Sequence, residues 1–239
     1  MTAGTAQGAL GVGKFKFDSD LIGQLFIIGL AAGTALAIGY FVVAVVRGGF
    51  LRAVDETSTF IGKFFAWSIV LLTLAISYEV FCRYVLGAPT DWAFDLSYML
   101  YGTLFMMAGA YTLARNGHVR GDFVYRAWSP RRQARMDLAL YVLFFFPGII
   151  ALIYSGWDYF KLAWLLNEKS SASPNGPVIW PFKAVIPITG VFMLLQGIAE
   201  SIRCVQCIRT GEWPQRQHDV EEMEKLILEQ AQQAKGEKA

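Results

Sequence analysis

Long apolar runs separated by short polar stretches dominate the chain, and the runs have membrane-spanning length. A hydrocarbon core of about 30 Å takes about 20 apolar residues as a helix, since each residue advances about 1.5 Å. Five stretches fit that measure: 21–46, 60–84, 92–114, 138–164 and 181–205. The first contains no charged residue at all, and the second is uncharged from 64 to 78, with Lys63, Glu79 and Arg83 near its ends. The third is uncharged from Leu96 onward, the fourth runs uncharged to Trp157, and the fifth is bounded by Lys183 and Glu200, with Pro187 near its start. The pattern predicts an all-α integral membrane protein of five transmembrane helices. Ala35-Leu36-Ala37 imitates a leader cleavage site, but the apolar run continues to Val46, so 21–46 reads as a retained helix.

Composition supports this reading. Of the 239 residues 55% are hydrophobic and 17% charged, against about 45–50% and about 25% in soluble domains. The balance of 21 basic and 19 acidic residues shows no basic excess of the kind that nucleic-acid binding requires, so no nucleic-acid partner is expected. Cys82, Cys204 and Cys207 give neither a disulfide framework nor a zinc pattern. The two histidines, His118 and His218, lie in polar segments, which excludes a bis-histidine haem within a hydrophobic bundle. Catalytic, cofactor-binding and metal-ligating residues are all expected to be absent.

With five spans the termini lie on opposite sides. Arg47, Arg52, the arginines between 115 and 135, Arg203 and Arg209 share one side; Lys14, Lys16, Arg83, Lys161, Lys169 and Lys183 share the other. The positive-inside rule puts the first group in the cytoplasm, so the tail 1–20 is outside and the charged tail 208–239 inside. Segment 115–136 alternates arginines with Phe123, Val124, Tyr125 and Trp128, which suits an amphipathic stretch held in the headgroup layer by membrane lipids. The stretch between the fourth and fifth helices, rich in serine, Pro174, Gly176 and Pro177, is an external loop that serves either as a docking surface or as a simple connection.

Ionisable residues near membrane depth are the default functional candidates. Glu79 and Arg83 stand at i and i+4, so a carboxylate and a guanidinium share one helix face near the outer end of the second helix. Asp91 or Asp95 at the start of the third helix favours its N-terminal dipole, and Trp92 fits the interface level. Cys204 and Cys207, three apart, are expected to pack rather than bind metal.

The run EVFCRYVLGAPTDWAFDLSYML carries Glu79, Arg83, Tyr84, Pro89, Trp92 and Asp95. One helix later ARNGHVRGDF carries Arg115, His118, Val119 and Asp122, and WPFKAVIPITGVFMLLQ contributes Pro187 and the LLQ stretch. With these motifs in this order, the middle of the chain resembles the small membrane subunit, of the DctQ type, of tripartite ATP-independent periplasmic (TRAP) transporters. The likeness spans about 60–207, a four-helix core, and leaves 21–46 as an addition. Where the family commonly has two glutamates after the tryptophan, this sequence has Phe94 and Asp95.

The resemblance implies a scaffold-type subunit without enzymatic activity in the bacterial inner membrane. Its partners would be a large multi-helix TRAP membrane subunit, which moves by an elevator motion and holds the coupling sodium, and a periplasmic solute-binding protein that captures an organic acid. Glu79, Arg83, Tyr84, Trp92, Asp95, Arg115, His118, Asp122 and Pro187 are the structural and interaction residues it points to. Two other classes fit the composition: a membrane anchor of a respiratory enzyme, and a self-sufficient small transporter or channel.

Overall fold

The computed structural model describes residues 19–115, 125, 127–173 and 176–214, and all of its regular elements are helices. In chain order these are α1 (Ser19–Gly48), α2 (Phe50–Ala66), α3 (Ser68–Tyr84), α4 (Ala93–Ala114), α5 (Pro130–Leu140), a π-helical turn (Tyr141–Phe145), α6 (Phe146–Leu165) and α7 (Trp180–Thr210). Among the described residues four helical stretches are long and apolar enough to cross a membrane: Ser19–Arg47, Phe50–Tyr84, Pro130–Leu165 and Trp180–Thr210. The remaining expected span, the third at 92–114, forms α4, whose buried face includes Asp95 and Thr103 and which falls short of the apolarity of the other four.

Two boundaries differ from the sequence expectation. The second helix starts near residue 50 rather than 60, because α2 is amphipathic and its polar residues hide it from a reading by apolar run. It buries Ala53, Val54, Thr57, Ser58, Ile61 and Phe65 and passes into α3 through a tightened turn at Trp67, whose N–H reaches Phe64 O at 3.4 Å. The fourth helix starts at Pro130, so 130–136, placed by sequence in an interfacial segment, instead forms the first turns of a helix packed on α7. Pro130 at the first helical position suits a site where no N–H is needed. The rest of that segment, with His118 and Asp122, lies outside the described residues apart from Arg115, Tyr125 and 127–129. The tail beyond 214 and residues 1–18 lie outside them as well.

The π turn has a local cause. Pro147 lies two residues beyond its end, and a proline there would clash in a regular helix with the carbonyl four residues back, that of Leu143 within the turn. The wider turn, closed by Phe146 N–H on Tyr141 O, accommodates it. At the far end of α7, Gly211 takes φ 90°, and its N–H caps Cys207 O at 2.8 Å.

In the bundle α4 lies between α2/α3 and α7, α6 packs on α7, and α1 packs mainly on α2. The core joins Leu30 and Ala37 of α1, Ile61 and Phe65 of α2, Met107 of α4 and Val185 of α7. The outer helices touch it sparingly. α3 buries Ser68, Ala75 and Cys82, and α6 buries Ile149, Gly156 and Ala163. Each set repeats every seven residues, so each helix presents one narrow stripe inward and most of its apolar surface outward.

Candidate functional site

Polar side chains gather at the two ends of the bundle. At one end, α3 carries Glu79 and Arg83 one turn apart, and Arg83 Nε donates to Glu79 Oε1 at 2.9 Å while a second guanidinium nitrogen meets the same oxygen. Glu79 Oε2 accepts from the Thr90 backbone N–H at 2.9 Å and from the Thr90 hydroxyl. One carboxylate therefore ties the last turn of α3 to the loop leading into α4. That loop reverses at Gly87, φ 61°, a conformation open to glycine. Trp92, the residue before α4, stacks on Tyr78 with ring centroids 6.0 Å apart. Tyr84, in contrast, is 80% exposed.

Beside this lies a second cluster. Asp95, in the first turn of α4, is fully buried and accepts a hydrogen bond from the Ser170 hydroxyl. Tyr98 OH donates to Ser170 Oγ at 3.2 Å, and the Ala172 N–H reaches the same oxygen at 3.2 Å. Ser170 belongs to the loop between α6 and α7, whose ends pair at Lys169 and Val178 and whose backbone bonds include Ser170 N–H to Pro177 O, 2.9 Å. The two arms of the loop, 168–170 and 177–179, are thus bonded to each other as a clasp. Lys183 of α7, buried, donates to Glu168 at 2.5 Å and stands 3.9 Å from the centre of the Tyr159 ring. Lys169 meets Asp20 of α1 at 3.0 Å. Through these contacts the clasp joins α1, α4, α6 and α7.

The opposite end holds a buried ionic network. Arg203 of α7 donates to Glu200 on its own helix and to Asp55 on α2. Gln196 Nε2 donates to Asp55 Oδ1 at 3.0 Å and to Glu200 Oε1 at 3.2 Å, and its carbonyl accepts from Ser58 Oγ at 2.8 Å. Gln196, Glu200, Arg203 and Ser58 are all buried. Cys204 and Cys207 pack against Ala134, with the Cys207 thiol directed at Pro130 O, 3.6 Å away. Arg115 ends α4 at this level, 5.2 Å from the Tyr111 ring centre.

The structure therefore places Glu79, Arg83, Trp92 and Asp95 at one end and Arg115 at the other, with Pro187 buried inside α7 beside Gly156 of α6. Sequence reasoning missed Asp55, Ser58, Gln196, Glu200 and Arg203 as a unit. Its one readable trace was the run of Gln196, Glu200 and Arg203 on a single face of an otherwise apolar helix. Among the described residues no three histidine, cysteine or acidic side chains cluster in a way that would hold a metal ion.

A family model described as tripartite ATP-independent periplasmic transporters, DctQ component, matches residues 72–207, more than half of the chain. The chain belongs to the DctQ family. It is a TRAP transporter small membrane component, and DctQ is a family of transporter components rather than of enzymes. The matched region opens inside α3 and closes inside α7, so α1 and α2 lie outside it. It includes Glu79, Arg83, Trp92, Asp95, Arg115, His118, Asp122 and Pro187. No curated protein matches the chain.

Proposed function

We propose that this DctQ component is a static scaffold that supports a large, sodium-coupled elevator subunit and helps a periplasmic solute-binding protein dock for uptake of an organic acid. The observation that carries this reading is the position of the polar groups. Twenty residues separate Asp95 from Arg115 and Lys183 from Arg203, about 30 Å along a helix, which matches a hydrocarbon core. Between Asp95 and Arg115 α4 carries no charge, and α7 carries none from Lys183 until Glu200, which pairs with Arg203 at that same end. A transport route needs ionisable or broken-helix elements near the midplane; a body clamped at both ends suits a support.

In this reading α4 also crosses the membrane and completes the five spans, and the Glu79 and Asp95 end faces the periplasm, with the N-terminus. The Arg203 end and the C-terminus face the cytoplasm. Sodium binds in the large partner. The outward surfaces of α3 and α6 face lipid and that partner, and the clasp at Ser170 is offered to the binding protein.

The test is to tag the C-terminus, purify the chain gently from native membranes and identify its companions by mass spectrometry. A much larger membrane protein in stoichiometric amount is expected, as is the absence of flux when this chain alone is placed in liposomes. Sodium-driven uptake by the chain alone would overturn the proposal.

A further inference from the structure

We propose that the crevice between α1, α2 and α7 is a site for one anionic glycerophospholipid, with Thr57 donating to an ester carbonyl of that lipid. The crevice has a volume of about 340 Å³, is open on one side, and is walled by Phe41 of α1, Val54 and Thr57 of α2, and Ile188, Phe192 and Leu195 of α7. It exists because α1 leans on α2 and scarcely meets α7. Its walls suit an acyl chain.

Thr57 makes the site more than an apolar gap. The threonines Thr34, Thr73, Thr103, Thr112 and Thr210 all return their hydroxyls to the carbonyl four residues back, at 2.7 to 3.0 Å. Thr57 does not: it is 4% exposed, lines the crevice, and its hydroxyl has no partner among the described residues. Its neighbour Ser58 is already occupied by Gln196. A buried hydroxyl without a partner is costly. Water is a poor remedy, because a bound water needs two to four polar partners and the walls supply almost none. A lipid ester brings an acceptor attached to an apolar chain, which is the combination this crevice lacks.

Depth and charge agree with that occupant. Thr57 lies less than a turn from Asp55 and Ser58, at the end of the bundle where Arg203 stands, so it falls where ester groups meet the hydrocarbon layer. Beyond it, at the same ends of α1 and α2, are the exposed guanidinium groups of Arg47 and Arg52; Arg52 is shared with Glu56 at 2.6 Å. Asp55 and Glu200 are held within the bundle by Arg203, so the groups facing outward here are Arg47, Arg52 and Glu56, and the two arginines favour a headgroup with net negative charge. The site lies outside the DctQ-matched residues on two of its three walls, and it does not depend on the transport role proposed above.

The experiment uses the full chain, with any companion subunit retained, in nanodiscs containing equal phosphatidylglycerol and phosphatidylethanolamine, followed by mild delipidation and native mass spectrometry. Wild-type protein should keep one phosphatidylglycerol per chain. Thr57→Val, which preserves shape, should reduce retention about tenfold, the effect of one hydrogen bond. Val191→Trp, which fills the crevice, should remove the bound lipid. Unchanged retention in Thr57→Val, or equal retention of the two lipids, would overturn the proposal.

Discussion

Arg203 on α7 reaches back 148 residues to Asp55 on α2, and its guanidinium is only 5% exposed. The same side chain holds Glu200, so two carboxylates depend on one cation. Removing one member of a buried ion pair leaves an uncompensated charge and costs about 3–5 kcal/mol. Arg203→Met should therefore lower the thermal midpoint of the purified chain sharply. Replacing Asp55, Glu200 and Arg203 together with apolar residues of similar size should restore most of the loss. Thermal unfolding in detergent measures both.

Asp95 and Ser170 give a sharper test of the clasp. Asp95→Asn keeps an acceptor for the Ser170 hydroxyl and should leave the loop closed, whereas Asp95→Ala should release it. Pro177→Cys, at a position fully buried in the closed loop, reports this through maleimide labelling, since Cys82, Cys204 and Cys207 are buried and contribute little background. Faster labelling in the alanine variant, with slow labelling in the asparagine variant, is expected.

Glu79 and Arg83 should behave unequally. Arg83 is 56% exposed, and a solvent-facing pair is worth at most about 1 kcal/mol. Glu79 also satisfies the amide and hydroxyl of Thr90, so Glu79→Ala should destabilise the isolated chain more than Arg83→Ala. In the assembled transporter, changing Arg83 or Trp92 should lower complex yield and uptake together. Intact yield with uptake alone abolished would show that the site acts beyond scaffolding.

The α6–α7 seam is the place to test packing. A Cβ at Gly156 would lie 2.7 Å from Ile186 Cγ2 and 3.3 Å from Pro187. Gly156→Leu should overpack that seam at a cost of about 1–3 kcal/mol. Gly29→Ala, where nothing lies within 4 Å, serves as the control. Unfolding midpoints of the two variants should separate clearly.

Features with local causes were legible in the sequence. The uncharged runs became helices close to their expected positions, and Glu79 and Arg83 formed the i, i+4 pair that their spacing implies. Features that depend on distant partners were not. Asp55 and Ser58 sit in a polar-looking helix end, and their meaning comes from Gln196 and Arg203, which only the folded bundle brings near. Asp95 was read for its place in the first turn of α4, but its bond to Ser170 spans 75 residues. Thr90 joined Glu79 only because the loop turns at Gly87. The π turn before Pro147 was invisible for another reason: its residues are apolar whichever helical register they adopt.

The long reach from Asp55 to Arg203 also sets an order of events during synthesis. Chains grow at about 5–20 residues per second, so Asp55 emerges roughly 7 to 30 seconds before the guanidinium that will neutralise it. During that interval the α1–α2 hairpin carries an acidic group with no counterion from α7. α7 therefore seals α2 only late in synthesis, and a ribosome stalled before residue 203 would leave the two helices without the ion pair that joins them.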